Sequence, residues 1–220
     1  QKIRMRVNVM WAGHLVMVFF AFFNADARIA ENDEIDLVVH LGDYIYDTTD
    51  PDEQIRIPSP YPVKTATKEE WRNRHAYYLL DPDFRKAKQR HPFVVTWDNH
   101  DVEYEGVNRD GSVEAFREWV PMRSNEQDPA FDKIYRKLSY GNLIDLIMMD
   151  VHLYKDQDII SQEGDFSYLG NEQFDWFIDQ ITNSTAKWRI IGSEKMFGGF
   201  YAKGLPDALP IPREGDVFST

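Results

Sequence analysis

The sequence contains no cysteine, and this absence excludes several kinds of site. A disulfide framework, a thiolate zinc site and a cysteine nucleophile all require thiols, whereas the redox compartment of the protein stays open. No Gly-x-Ser-x-Gly segment occurs, which disfavours a hydrolase with a serine nucleophile elbow. Basic residues are fewer than acidic ones, 25 against 37, and the formal net charge is −12. A nucleic-acid backbone is therefore disfavoured as a partner, because binding it requires a basic footprint.

Long apolar runs are also missing. The longest has nine uninterrupted apolar residues and ends at Phe23, which is too short to span a bilayer. Basic residues precede this run and Ala25-Asp26-Ala27 follows it, as in a secretory signal peptide with its cleavage site. However, Ile3–Met10 alternates like a strand, and the chain opens on Gln1 rather than Met. We therefore predict a first strand in preference to a signal peptide, and no transmembrane segment.

Hydrophobic residues make up 43% of the chain and aromatic residues 14%, enough to bury one sizeable core. Strand-like and helix-like patterns alternate, which favours a layered α/β fold. The predicted strands are Ile3–Met10, Ile35–His40, Phe93–Trp97, Lys133–Tyr140, Leu143–Asp150 and Trp188–Gly192. The predicted helices are Phe19–Glu31, Lys68–Leu80, Pro82–Arg90, Ser112–Arg123 and one that begins near Asn171, with Asp81 and Asn171 as N-caps. No repeat or linker divides the chain, so we predict a single domain over residues 1–220.

Two of the predicted strands end in clusters of polar side chains. The first is followed by Gly42-Asp43-Tyr44-Ile45-Tyr46, and the second by Asp98-Asn99-His100-Asp101. The carboxyl ends of strands are the usual place for ligand groups in open α/β sheets. Each ion of a two-metal site needs several hard donors from neighbouring strand ends. The two segments together therefore indicate a metal site.

The donors in these segments suit different tasks. Asp43 can bridge two cations, and Tyr46 can bind a ferric ion as a phenolate. Asn99 offers an amide oxygen, and Asp98 is a further candidate ligand in the same loop. His100 can serve as a ligand or as a proton donor beside the metals.

Both segments resemble motifs of the alkaline phosphatase D (PhoD-like) family of metallophosphoesterases. The matching stretches are Val38–Asp47 and Pro92–Glu103. Further similar segments follow in the order of the family: Trp71–Tyr78, Ala115–Arg123, Tyr140–Leu143 and Leu169–Gln173 with Trp176. The likeness covers roughly Phe22 to Phe200, and ordered motifs over that much chain are more specific than a single loop.

The resemblance implies a four-layer α/β/β/α sandwich and hydrolysis of phosphomonoesters and phosphodiesters. It also implies export, so that the protein is periplasmic or secreted, and it implies iron and calcium as cofactors. By position in the motifs, Asp43 corresponds to the bridging ligand, Tyr46 to the iron ligand and Asn99 to a ligand of the second metal. His100 corresponds to the acid beside the leaving group, and Asp101 to the residue that orients it.

Other residues are also candidates for the site. Arg74 and Arg72, on the predicted helix Lys68–Leu80, are candidate ligands of a substrate phosphate, because a guanidinium can bind phosphate bidentately. The alternative is that these arginines are solvated, as helix arginines commonly are. His40 is interpreted as a buried structural residue. Spacing predicts four tryptophans in the core: Trp97, Trp119, Trp176 and Trp188.

The chain departs from the family pattern in two places. The family's Ser-Cys, which supplies a thiolate to iron, aligns near His14–Leu15, where leucine cannot ligate and His14 is either a substitute or a core residue. The family's terminal Gly-Asp-x-His loop is absent, because Gly215–Ser219 follows a Pro-rich stretch and has Phe218 in place of the histidine. We therefore expect a sandwich that is incomplete at the C-terminus, either truncated or completed by a second polypeptide.

The sequence predicts a metal-dependent hydrolase of small phosphoesters that uses a metal-activated hydroxide. The alternative is a non-catalytic or incomplete relative that binds phosphate or divalent metal without turnover, which the missing thiolate and the missing loop support. A glycosidase with paired carboxylates is supported only by the abundance of Asp and Glu.

Overall fold

The computed structural model describes residues 24–48, 60, 65–122, 133–154 and 169–195. The predicted first strand Ile3–Met10, the signal-like run, His14–Leu15 and Gly215–Ser219 all lie outside these residues. Among the described residues, no helix has the length and apolar content needed to cross a membrane. The chain divides into two compact units, Gln1–Lys133 and Ile134–Thr220. Each unit is described by itself, and the single domain stays a prediction.

In the first unit, the part of the chain that the structure describes contains two short parallel strands, β1 (Val38–Leu41) and β2 (Phe93–Thr96). They pair in register, with Val38 opposite Phe93 and Leu41 opposite Thr96. Val38, Val39, Val94 and Val95 are all buried, as expected for strands covered on both faces. Because the strands are parallel and in register, the chain leaves both of them at the same edge.

The described residues of this unit form four helices: α1 (Asn24–Glu31), α2 (Lys68–Tyr78), α3 (Pro82–Arg90) and α4 (Arg109–Trp119). Helix α1 packs on α3, and α2 packs on α4. A capping box begins α2, in which the Thr67 side chain accepts from the Glu70 N–H and the Glu70 carboxylate accepts from the Thr67 N–H. The predicted N-cap Asp81 is confirmed, since its carboxylate accepts from the N–H groups of Asp83 and Phe84 at 2.9 and 3.1 Å.

The second unit contains β3 (Arg136–Tyr140), β4 (Ile144–Met148), α5 (Gly170–Asn183) and β5 (Trp188–Gly192). Strands β3 and β4 are antiparallel, and β5 pairs parallel to β4 on its other side. Gly141 has a φ of 59° in the turn between β3 and β4, a conformation that glycine adopts without strain. One face of α5 packs on a core of Ile147, Met149, Val151 and Leu169.

The described elements confirm an α/β fold but correct several details. Helix α5 begins at Gly170 and has no side-chain cap, so the prediction of Asn171 as its N-cap was wrong. Trp188 is 65% exposed because it begins a strand at the edge of the described sheet, so its assignment to the core was also wrong. Trp97 is fully buried, as predicted. Helix α4 begins three residues before the predicted Ser112 and ends at Trp119.

Candidate active site

The loop after β1 approaches the loop after β2 so closely that only glycine fits at its start. A Cβ on Gly42 would lie 2.7 Å from the Cβ of Asp98, and Gly42 has a φ of 95°. The next residue, Asp43, also has a positive φ, 51°, although it is not glycine. A non-glycine residue in this region is uncommon, and such residues concentrate at functional sites. The backbone therefore presents the buried Asp43 side chain at the strand end where the sequence predicted it.

Asp101 holds the two loops together. Its Oδ1 accepts from the N–H groups of Tyr44 and Ile45 at 2.8 and 2.9 Å, and its Oδ2 accepts from the Asp98 N–H at 2.9 Å. The carboxyl group is fully buried, and this burial, followed by repulsion from Asp43, raises the pKa of Asp101 well above its usual range. Asp101 thus fixes the backbone from which the predicted metal ligands project.

A carboxylate that the sequence prediction did not name is hydrogen-bonded to His100. Both oxygens of Asp101 accept from backbone N–H groups, whereas the Asp47 carboxylate lies against the His100 ring. The orienting role of Asp101 stays a prediction. His100 Nδ1 lies 2.8 Å from Asp47 Oδ1, and the His100 ring stacks on Tyr46 at 4.4 Å between centroids. Sequence reasoning missed Asp47, although its position directly after the candidate ligand Tyr46 was a signal for it.

The remaining predicted ligands lie in the same two loops. Tyr46 Oη donates to Asp43 Oδ2 at 3.3 Å, which brings the phenol and the bridging candidate together. Asp98 is buried, and its Oδ1 accepts from the Asn99 N–H at 2.8 Å. Asn99 itself is exposed. The structure therefore brings Asp43, Tyr46, Asp98, Asn99 and His100 to one edge of the parallel pair.

The two candidate phosphate ligands on α2 have different surroundings. Arg74 is only 1% exposed, and its guanidinium lies 5.8 Å from the centroid of the Tyr77 ring. This burial contradicts the alternative of a solvated helix arginine. The charge of Arg74 also acts on the Tyr78 side chain, which forms a hydrogen bond with the backbone of Tyr46. Arg74 therefore belongs to the packing that supports the first loop.

Arg72 lies on the outer side of the same helix. Its guanidinium donates to Glu118 at 2.6 and 2.7 Å and to Glu69 at 3.3 Å. These hydrogen bonds hold it against carboxylates of α2 and α4 and not against the two loops. Its role in binding substrate stays a prediction.

A layer of buried aromatic and basic groups packs behind Tyr44. His40 contacts the Tyr44 ring edge-on at 5.2 Å, and His75 stacks on Trp119 at 6.3 Å. Lys88 Nζ lies 4.9 Å above the Tyr44 ring. Burial, followed by the charge of Lys88, lowers the pKa of His40 to about 4 and that of His75 to about 3. Both imidazoles are therefore neutral in the folded chain, and the interpretation of His40 as a structural residue is supported.

The donor chemistry of the two loops suits hard metal ions. Carboxylate and amide oxygens are the preferred donors for calcium, and a phenolate suits ferric iron. Within the part of the chain that the structure describes, however, no group of three or more His, Asp or Glu side chains is arranged to hold a metal. Asp101 already accepts from three backbone N–H groups, so its described contacts are with the main chain of the two loops. The described loops thus supply Asp43, Tyr46 and Asn99, with Asp98 beside them, as part of a donor set.

Comparisons with known proteins show which family the chain resembles. The family model described as "PhoD-like phosphatase" matches residues 12–215. Alkaline phosphatase D of Bacillus subtilis (strain 168) is 29% identical over an alignment 232 positions long, which covers 88% of this chain. A solved structure titled "Structure of PhoD" has a TM-score of 0.68 and 28% identity over 82% of this chain. These likenesses confirm the family resemblance and support the predicted α/β metallophosphatase-like fold.

The chain is shorter than these relatives. It covers 40% of the length of the Bacillus protein and 40% of the solved chain.

Proposed function

Because the chain belongs to the PhoD-like phosphatase family, we propose that it forms part of a metal-dependent hydrolase of small phosphomonoesters or phosphodiesters. The observation that carries the proposal is the meeting of two loops from neighbouring parallel strands. One contributes Asp43 and Tyr46, and the other contributes Asp98, Asn99 and His100. This edge of a parallel sheet is where ligands bind in open α/β folds.

Iron and calcium are the proposed cofactors. Asp43, Tyr46 and Asn99 would hold them, with Asp98 as a further ligand. Bound metal ions lower the pKa of a water ligand and neutralise the charge of a transferring phosphoryl group. A negatively charged protein otherwise repels a phosphoester, so this neutralisation agrees with a net charge of −12.

The protein's own groups have two tasks in this proposal. Hydrolysis adds water across the P–O ester bond, and the departing alkoxide needs a proton. His100 donates that proton as a general acid. The buried guanidinium of Arg74 contributes to the packing that supports the Tyr46 loop. Its positive charge is proposed to stabilise phosphate. Arg72 is the weaker candidate, since carboxylates already bind its guanidinium.

The family resemblance also underlies a proposal about location, namely that the protein acts in the periplasm or is secreted.

The competing proposal is a relative that binds phosphate or divalent metal without turnover. It is favoured by the lack of a three-ligand cluster among the described His, Asp and Glu side chains. It is also favoured by Leu15 at the expected position of the family's thiolate.

Metal content and turnover measured on the same preparation decide between the two proposals. The 220-residue chain is loaded with iron and calcium, analysed by mass spectrometry and assayed with p-nitrophenyl phosphate and its bis-ester. The hydrolase predicts bound iron and a turnover that Asp43→Asn abolishes. Asp110→Asn is the matched control, because Asp110 is an 85% exposed carboxylate in the first turn of α4 and is not a candidate ligand. Folded chain that binds metal without hydrolysing either ester would support the non-catalytic relative.

The assignment of Tyr46 to iron has its own spectroscopic test. A tyrosinate bound to ferric iron absorbs visible light, so the iron-loaded chain is expected to be coloured. Tyr46→Phe removes the phenol oxygen and is expected to remove the band. A band of equal strength in Tyr46→Phe would show that another residue binds the iron.

A further inference from the structure

We propose that His91 is a pH-operated clamp. With both ring nitrogens protonated, it ties together the segments that lead into β1 and β2, and it releases one of them when the ring loses a proton. His91 lies where the two strands begin, whereas the loops of the candidate active site follow the strand ends. The inference therefore stands independently of the proposed function.

Both ring nitrogens of His91 lie against backbone carbonyl oxygens. Nδ1 is 3.0 Å from the carbonyl oxygen of Ile35, and Nε2 is 2.8 Å from that of Ile29, both normal hydrogen-bond distances. A carbonyl oxygen can only accept, so each nitrogen must donate if both bonds are to form. A neutral imidazole carries one N–H group and an imidazolium carries two. The geometry therefore requires the doubly protonated ring.

His91 joins three segments of the first unit. Its own N–H donates to the carbonyl oxygen of Ala87 at 2.9 Å, which closes α3. Its ring binds the last turn of α1 through Ile29 and the connection from α1 to β1 through Ile35. His91 is 7% exposed, so little water competes for these bonds.

The pairing of β1 with β2 starts directly beside this residue. The Val38 N–H donates to the carbonyl oxygen of Pro92, the residue after His91, at 3.0 Å. Val38 is then the first residue of β1 to pair in register, opposite Phe93. The segments that His91 ties are thus the ones that bring the two strands side by side.

The electrostatic surroundings favour a cation at His91. The ring lies at the carboxyl ends of α1 and α3, where helix dipoles attract positive charge. The charged groups on α1, on its connection to β1 and in the last turn of α3 are two ion pairs, Arg28 with Glu31 and Arg90 with Asp33, the acidic Glu34 and Asp36, and Asp26 and Lys88, whose charges act near Tyr44. None of the described carboxylates forms an ion pair with His91, so its ring hydrogens go to the two carbonyl oxygens.

Loss of one proton leaves the lone pair of a ring nitrogen facing a carbonyl oxygen. Two acceptors form no hydrogen bond, so the neutral ring holds only one of its two partners. A proton that the folded chain binds more tightly than the unfolded chain stabilises the fold at low pH, and this stabilisation is lost as the pH rises. The sign is opposite to that expected for His40 and His75, which are buried in their neutral form.

The first test detects the two hydrogens on the His91 ring directly. The full chain is labelled with 15N-histidine and studied by NMR at pH 7.5, where a histidine with the ordinary pKa of 6.5 is about nine-tenths neutral. The chain has six histidines, and His91→Gln identifies the signal by its loss. Both ring nitrogens are expected to carry hydrogen in the folded chain, and the ring is expected to become neutral when urea unfolds it. A neutral His91 in the folded chain at this pH would overturn the proposal.

The second test measures stability at two pH values. Urea unfolding followed by tryptophan fluorescence gives the midpoints of the wild type and of His91→Gln at pH 6 and pH 9. Glutamine does not titrate, and the other histidines are present in both proteins, so their contributions cancel in the difference. The midpoint of the wild type is expected to exceed that of His91→Gln by more at pH 6 than at pH 9. An equal difference at the two pH values would overturn the proposal.

Arg90→Gln is the matched control for the second test. Arg90 precedes His91, and its ion pair with Asp33 also joins α3 to the connection before β1. Both of these groups stay charged from pH 6 to pH 9, so the loss in Arg90→Gln is expected to be the same at both. A pH dependence as large as that of His91→Gln would show a general loosening of this joint and would overturn the role of the His91 ring.

The first test also decides the case in which His91→Gln does not fold. Experiments that connect the ring to its own backbone amide then identify the His91 signal in the wild type, and the number of ring nitrogens that carry hydrogen supports or overturns the clamp.

Discussion

Mild acid is expected to destabilise the first unit because His40 and His75 are buried in their neutral form. Burial and the charge of Lys88 lower the pKa of His40 to about 4 and of His75 to about 3, against an ordinary value of 6.5. The unfolded chain binds a proton on each ring as the pH falls through 6.5, whereas the folded chain does not until the lower pKa is reached. The stabilisation is therefore complete above pH 6.5 and is lost between pH 6.5 and the folded pKa values.

The size of this effect follows from the two shifts. A difference of one pKa unit is worth about 1.4 kcal/mol. Between pH 7 and pH 5 each histidine is therefore expected to remove about 2 kcal/mol from the free energy of unfolding, and the pair about 4 kcal/mol. Typical domains are stable by about 5–15 kcal/mol, so the loss is large enough to measure.

The substitution His75→Phe separates the contribution of His75 to this loss of stability from that of His40. His75 Nε2 has no hydrogen-bond partner among the described residues, and its ring contacts Phe116 and Trp119, so phenylalanine keeps the aromatic packing. Urea unfolding followed by tryptophan fluorescence at pH 7 and pH 5 gives the free energy of each protein. The variant is expected to lose about 2 kcal/mol less than the wild type on acidification. Equal losses in the two proteins would refute the reasoning, because they would show that His75 titrates alike in the folded and unfolded states.

Three further outcomes are expected from the two loops. Gly42→Ala should destabilise the first unit by about 2 kcal/mol or more, because the new Cβ would clash with Asp98. Gly106→Ala is the control and should cost about 1 kcal/mol, because Gly106 has a similar φ but open space around it. Similar losses for the two variants in urea unfolding would count against the close approach of the loops. Asp101→Ala should lower the free energy of unfolding by about 3 kcal/mol or more, roughly 1 kcal/mol for each buried N–H left without its acceptor. A loss below about 1 kcal/mol in urea unfolding would contradict the role of Asp101 in holding the loops. Calcium should raise the Tm by binding the folded chain, and a chelator should reverse the rise; an equal rise in Asp43→Asn would place the calcium elsewhere.

The parts of the fold that could be predicted from the sequence have local causes. Helix α3 has the predicted bounds because Asp81 caps it and Pro82 fits its first turn. The two strand ends were predicted because apolar runs stop at polar residues, a pattern that is visible within ten residues of chain. The bounds of α4 and α5 were less accurate, because neither helix has a side-chain cap to mark its start.

The parts of the site that could not be predicted depend on distant residues. The bond from His100 to Asp47 joins positions 53 apart, so the place of Asp47 after Tyr46 marks it as a candidate but does not reveal its partner. The burial of Arg74 is likewise a tertiary effect, since an arginine on a helix has no local feature that distinguishes a buried position from a solvated one. The family motif led to Asp101 as the orienting residue and did not indicate the contact between His100 and Asp47.

The parallel pairing of β1 and β2 also sets the order in which the site is assembled. Tyr44 and Asp101, which join the two loops, lie 57 residues apart in the chain. Such long-range pairing forms slowly, because a large loop must close before its contacts contribute free energy. During synthesis the Asp43 loop leaves the ribosome before the segment that shapes it, because it comes first in the chain. The geometry of this loop is completed only when β2 pairs with β1. We therefore expect metal ions to bind these donors after the two strands have paired.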